Sequence, residues 1–197
     1  MSQSITLPRL LAAVVMAVAL AACAGQKEPA QQSLTELDAA FSKVAEMGQK
    51  YMPEEYAEVD AQIAALRASF DKGDYDAVVA GAPKAAAAIR KLQADSIIAK
   101  ADYAKQMNEE WAEFSRTMPD TIIAVDKQIS RASSRLPKGM DRDTFKQVVA
   151  DFDAAKKTWE GAAELGNAGK YEEAVMESRK VKEVVDATMA ALGMTAG

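Results

Sequence analysis

The sequence contains no histidine, a single cysteine and few aromatic residues, 6% of its 197. Without an imidazole there is no side chain that ordinarily exchanges protons near neutral pH, and the commonest ligand of zinc and haem iron is missing. His-based acid–base catalysis, most zinc sites and His-ligated haem are therefore excluded. One cysteine cannot form an internal disulfide, so the fold must be held by packing. No glycine-rich phosphate loop and no glycine-flanked nucleophilic serine occurs. Strand signals are scarce as well, because apolar residues rarely alternate and alanine, lysine and glutamate crowd the segments, which points to an all-α fold. Positive charge is the minority sign, 24 Lys and Arg against 29 Asp and Glu. With no basic face visible, nucleic acid and anionic lipid headgroups are not expected as general partners.

The N-terminus carries the most specific signal. Residues 1–22 hold one charge, Arg9, followed by the apolar run 10–20 and the tetrad Leu20-Ala21-Ala22-Cys23. The run is too short to span a bilayer and reads as the apolar region of a secretory signal peptide. The tetrad resembles the lipobox of bacterial lipoproteins, in which small residues admit the signal peptidase and the cysteine is acylated to become the first residue of the mature chain. That resemblance implies removal of residues 1–22 and a lipid anchor on Cys23. Loss of Arg9 leaves 24 − 1 = 23 basic residues against 29 acidic, a net charge of −6. Ala24 is not the aspartate that keeps enterobacterial lipoproteins in the inner membrane, so the resemblance implies an outer-membrane anchor with the domain in the periplasm. Residues 23–33 are small and polar and include Pro29, and they read as a lipidated cysteine on a flexible tether spanning roughly 17 Å.

About six helices are expected beyond the tether. Ser33 and Glu36 have capping-box form, and Leu34, Leu37, Phe41 and Val44 share one face of a first helix over 34–50. Pro53 with Glu54 and Glu55 suits the start of a second, striped by Tyr56, Val59, Ile63, Leu66 and Phe70. The third is expected from Asp74 to about Arg116. Met118-Pro119-Asp120 is expected to open a fourth, striped by Ile122, Val125, Ile129, Ala132 and Leu136. Asp141 is placed to cap a fifth, which closes at Gly166 to Gly169, and Tyr171 begins the sixth. None of these helices is uniformly apolar, so none is expected to add a membrane span.

Two turns share one chemistry. In Gly73-Asp74-Tyr75 and Gly169-Lys170-Tyr171 a glycine suited to the left-handed conformation ends one helix, and a tyrosine two residues on lies on the apolar stripe of the next. The two halves also align. At an offset of 88, Leu37, Asp38 and Phe41 meet Val125, Asp126 and Ile129; at 96, Tyr56, Ile63, Gly73 and Tyr75 meet Phe152, Trp159, Gly169 and Tyr171. The added 96 − 88 = 8 residues are close to two helical turns, so the stripe keeps its facing. The reading is an elongated bundle of two divergent three-helix units, 34–96 and 118–197, joined by a connecting helix over 97–117.

Gly169-x-Tyr171-x-x-Ala174 resembles the turn of a tetratricopeptide repeat, but hairpins 96 residues apart do not form the usual array of about 34. Tyr51-Met52-Pro53, Gly73-Asp74-Tyr75 and the alanines 57, 64, 77, 85 and 88 make the first unit similar to an alanine-rich domain of unknown function in bacterial envelope lipoproteins. That resemblance implies an envelope location and a helical form, and it brings no site residues.

Acidic pairs occur at Glu54-Glu55, Asp71 to Asp76, Glu109-Glu110 and Glu172-Glu173, where two carboxylates have the chemistry for acid–base work or calcium. Their positions at helix starts and opposite the stripes read as solvated or capping acids. The eight methionines after residue 22 are scattered rather than clustered for copper, and Trp111 and Trp159 fall on core stripes. No catalytic, metal or cofactor site is expected. The functional expectation is a non-enzymatic, membrane-anchored helical scaffold or interaction module with a protein partner in the envelope. The alternative is a periplasmic carrier that holds an apolar ligand between the two units.

Overall fold

The computed structural model describes the backbone of residues 7–194 and side chains from Gln26 to Met194. Among the described residues there are five α-helices and no strand: α1 (Leu7–Tyr51), α2 (Pro53–Asp71), α3 (Tyr75–Ser134), α4 (Arg142–Asn167) and α5 (Tyr171–Ala191). The all-α class holds, and the count of about six is corrected to five because α3 runs through Pro119. Tyr103, Met107, Trp111, Phe114, Met118, Ile122, Val125, Ile129 and Ala132 follow one another at steps of three and four and all pack in one core. A break at 118 would have thrown that stripe out of register. Each buried large apolar side chain contributes roughly 1.5–3 kcal/mol, so the stripe outweighs the roughly 3 kcal/mol that an interior proline costs. Pro119 itself faces solvent, where water can take the carbonyl its missing N–H leaves unpaired. Pro119→Ala is therefore expected to stabilise the protein by about 1–3 kcal/mol in urea denaturation.

The chain divides into two compact units, Met1–Ala101 and Asp102–Gly197. In the first, Phe41 stacks on Tyr56 with centroids 4.8 Å apart and Asp38 meets Arg67 at 2.6 Å. Numbers falling along α1 thus pair with numbers rising along α2, and the two helices are antiparallel. Leu37, Phe41 and Val44 of α1, Val59 and Ile63 of α2 and Ala82, Ala85, Ile89 and Leu92 of α3 form its core. The Ser96 hydroxyl, fully buried, has no hydrogen-bond partner among the described residues. An unsatisfied buried hydroxyl costs about 1–3 kcal/mol, so Ser96→Ala should raise stability by about 1 kcal/mol or more in the same assay.

The expected tether is corrected as well. Residues 26–33 are helical, and Ala30 is 0% exposed. Ala30, Leu34, Leu37, Phe41 and Val44 continue one stripe at steps of four and three, so the helix begins a full turn or more before Ser33. Glu36 consequently makes no capping box with Ser33 and instead accepts a hydrogen bond from Gln32 Nε2 at 2.8 Å. The side chains of Cys23, Ala24 and Gly25 lie outside the described residues.

In the second unit the last part of α3 packs with α4 and α5 around Trp111, Phe114, Phe152, Val175, Val181 and Val185. Tyr103 with Glu172 and Glu110 with Arg179 are both 69 positions apart, so α5 runs parallel to this part of α3. The segment 97–117, expected to connect two bundles, is split: Tyr103, Met107, Trp111 and Phe114 belong to the second core.

Both glycine turns close as read. Gly73 has φ +80 and Gly169 has φ +75. The Gly73 and Asp74 N–H groups donate to Phe70 and Ser69 carbonyls, and those of Gly169 and Lys170 to Gly166 and Leu165, all at 2.9–3.0 Å. This is the Schellman arrangement, which satisfies carbonyls the helix end leaves open. Tyr75 and Tyr171 are half-buried. The Tyr75 ring meets the edge of Phe70 at 5.1 Å across its turn, whereas Tyr171 packs on the second core.

Candidate functional site

The acidic pairs do not converge. Glu54 and Glu55 occupy the first turn of α2, and Glu172 and Glu173 that of α5, where carboxylates favour the positive end of the helix dipole. Glu110 is taken by Arg179 in a two-pronged pair at 2.7 and 2.6 Å, which raises the guanidinium above its ordinary range chiefly through the hydrogen bonds. The Tyr103 hydroxyl donates to Glu172 at 3.2 Å. Among the described residues no group of three carboxylate, cysteine or histidine side chains is placed to hold a metal ion.

The remaining shifted groups have structural causes. Lys156 is raised by hydrogen bonds to Asp153 and Asp126, both at 2.9 Å, and the second of these ties α4 to α3. Asp141 caps α4, accepting the N–H of Thr144 at 2.8 Å and of Asp143 at 2.9 Å. Those bonds, the Thr144 N–H first and its hydroxyl next, hold the carboxyl below its usual value. A lowered folded value means the cap is fully present at neutral pH and is lost as pH falls from about 4 through that value. The stability gap between wild type and Asp141→Ala should accordingly be constant above about pH 5 and narrow below pH 4, read by unfolding at a series of pH values.

A depression of about 450 Å³ lies beside Leu136, Arg142 and Phe145 and has a mainly polar lining, whereas a more apolar groove runs along the face of α4 and α5. Two adjoining depressions of about 310 and 280 Å³ share Asp151 and Val184. Val148, Ala155, Val181 and Val184 contribute its apolar floor, and Asp151, Glu177, Lys180 and Glu183 its polar rim. Lys180 is engaged by Glu177 at 2.7 Å, so the uncompensated charge of the rim is negative. What the groove offers is apolar contact area between two helices. A smaller notch of about 250 Å³ lies at the Gly169 turn, lined by Tyr103, Met107, Tyr171 and Glu172 among others.

The expected site residues are thus distributed. Gly73 and Tyr75 belong to the first unit, Gly169 and Tyr171 to the second, and each pair acts as a turn. No protein-family model matches the chain, and no curated protein or solved structure is detectably similar to it. The residues themselves therefore carry any functional reading. Trp111 and Trp159 pack against each other at 5.7 Å, and a Cβ at Gly166 would lie 2.0 Å from Trp111 Cζ2. Gly166, read from sequence only as part of a helix end, is the notch that admits the Trp111 ring. A glycine still inside the helix, on the side turned to the stripe, was the available signal.

Proposed function

We propose that this protein is a non-enzymatic lipoprotein of a bacterial cell envelope, anchored through acyl chains on Cys23, that presents a helical surface to another envelope protein. The observation that carries this reading is the tetrad Leu20-Ala21-Ala22-Cys23, with the one cysteine of the chain in the acylated position after a short apolar run. An outer-membrane anchor with the domain in the periplasm follows from Ala24 on the same resemblance. The groove between α4 and α5 supports the interaction half of the reading, because the half-buried Val148 and Val184 with the exposed Ala154 and Ala187 leave apolar contact area between helices.

The two units are read as divergent copies of one three-helix unit. Supporting this, Asp38 and Asp126, 88 positions apart, each accept an ion pair from the following helix. The two Schellman turns, 96 positions apart, share their hydrogen bonds. The cations do not correspond, since Arg67 aligns at 67 + 96 = 163 with Ala163 rather than with Lys156, as expected of copies that have drifted.

Crosslinked envelopes from the native host provide the test. Affinity capture should recover one partner in stoichiometric amount, and Ala154→Arg with Ala187→Arg, both at exposed positions along the groove, should lose it. Recovery of the bait alone would count against an interaction module. A lipid-sized adduct retained in native mass spectrometry would favour the carrier instead.

A further inference from the structure

We infer that the Gly73 end of the first unit is held against the lipid surface to which Cys23 is joined, with the Met52 end directed away from it; this rests on the lipoprotein reading. Ala30 is fully buried in the first unit only seven residues after the cysteine. Fully extended, the three steps from Cys23 to Gln26 reach at most about 11 Å. The four helical residues from Gln26 to Ala30 add about 6 Å. The folded body therefore begins within about 17 Å of the acylated residue, even with no helix at all over 23–25.

Which end of the body this is follows from the antiparallel pairing of α1 and α2. Arg67 meets Asp38 at 2.6 Å. From there α2 continues five residues to Lys72 while α1 runs five residues back to Ser33, each covering about 7.5 Å in the same direction. The turn at Gly73 is thus level with the start of the packed part of α1, on the anchor side. Met52 lies at the opposite end, 22 residues beyond Ala30, or about 33 Å along the helix.

Charge does not supply the approach. The exposed residues at the anchor end include Glu28, Asp71, Asp74 and Asp76 against Lys27 and Lys72, a net charge of −2. Such a surface gains nothing from anionic headgroups. Proximity is imposed by the short covalent link, and it disappears when the acyl chains do.

Site-directed labels test the orientation. Once acylated, Cys23 offers no thiol, so a fluorophore can be placed on Lys72→Cys at the turn or on Gln49→Cys at the far end, both exposed positions. The acylated full-length product is reconstituted in phosphatidylcholine vesicles carrying a headgroup nitroxide, and its N-terminal mass is recorded. The label at 72 should be quenched several-fold more than the label at 49. Equal quenching of the two, as for a bundle lying flat, or no quenching at 72 in a sample whose mass shows acyl chains, overturns the orientation. An unmodified Cys23 overturns the inference through its anchor, and the mass separates that failure from the geometric one.

Discussion

Gly166→Ala should cost the protein about 2–3 kcal/mol, although alanine is the better helix former. A Cβ at position 166 would stand 2.0 Å from Trp111 Cζ2, 2.1 Å from Cε2 and 2.6 Å from Nε1. Those atoms belong to a rigid bicyclic ring, itself 9% exposed and packed on Trp159, so no flexible terminus can move aside. Either the ring leaves its pocket or α3 and α4 separate. Overpacking of a core costs typically 1–3 kcal/mol and occasionally more, against a propensity gain of up to about 1 kcal/mol from replacing glycine. Gly161 supplies the control. It lies in the same helix, is exposed, and a Cβ there meets nothing within 4 Å. Gly161→Ala should raise stability by about 0.5–1 kcal/mol. Urea denaturation followed by circular dichroism reads both, and the opposite signs are the result expected. A loss at position 166 no larger than the gain at 161 would mean that Trp111 is not held against α4. A double-mutant cycle with Trp111→Phe adds a second readout: part of the loss at 166 should be recovered in the smaller ring's background.

That glycine also marks where sequence reasoning stops. Short-range features were legible because their causes lie within a few residues: the Gly73 and Gly169 turns, Pro53 opening α2 and Asp141 capping α4 all appear where expected. The helix class followed from composition and stripe. What was missed depends on the whole stripe or on distant residues. Met118-Pro119 has the local form of a boundary, yet nine apolar positions from Tyr103 to Ala132 stay in register across it. Residues 24–32 have the composition of a linker, yet glutamine, lysine, glutamate and alanine are also good helix formers, and Ala30 is one more step of the stripe that buries Leu37 and Phe41. The need for a notch at Gly166 is set by Trp111, 55 positions earlier, and no local pattern records it. The groove on α4 and α5 was likewise invisible, because Ala154 and Ala187 read singly are ordinary surface alanines.

Replacing Cys23 is expected to have the largest effect on where the protein resides and almost none on whether it folds. The sulfur and the new amino group exposed by cleavage before Cys23 would both carry acyl chains on the lipoprotein reading. Each buried methylene contributes about 0.8 kcal/mol; one chain gives only marginal, reversible attachment, while two or more give a stable anchor. Among the described residues no helix is long and apolar enough to cross a membrane, and the exposed large apolar side chains are Ile97, Ile98, Ile123 and Met176. The acylated wild type, purified from its native host, should float with phosphatidylcholine vesicles and show a mass increase confined to its first residue. The chain 23–197 carrying Cys23→Ser, made without its leader, should stay at the bottom of the gradient. Its helical signal should match that of the wild type and its unfolding free energy should agree within about 0.5 kcal/mol, because Ala30, the first buried residue among those described, lies two helical turns beyond the substitution. Flotation of the serine chain would assign the membrane contact to the folded surface, and an unmodified Cys23 in the native host would remove the anchor. A large loss of stability would tie residue 23 into the packing of α1, seven residues ahead of Ala30, the first buried residue among those described.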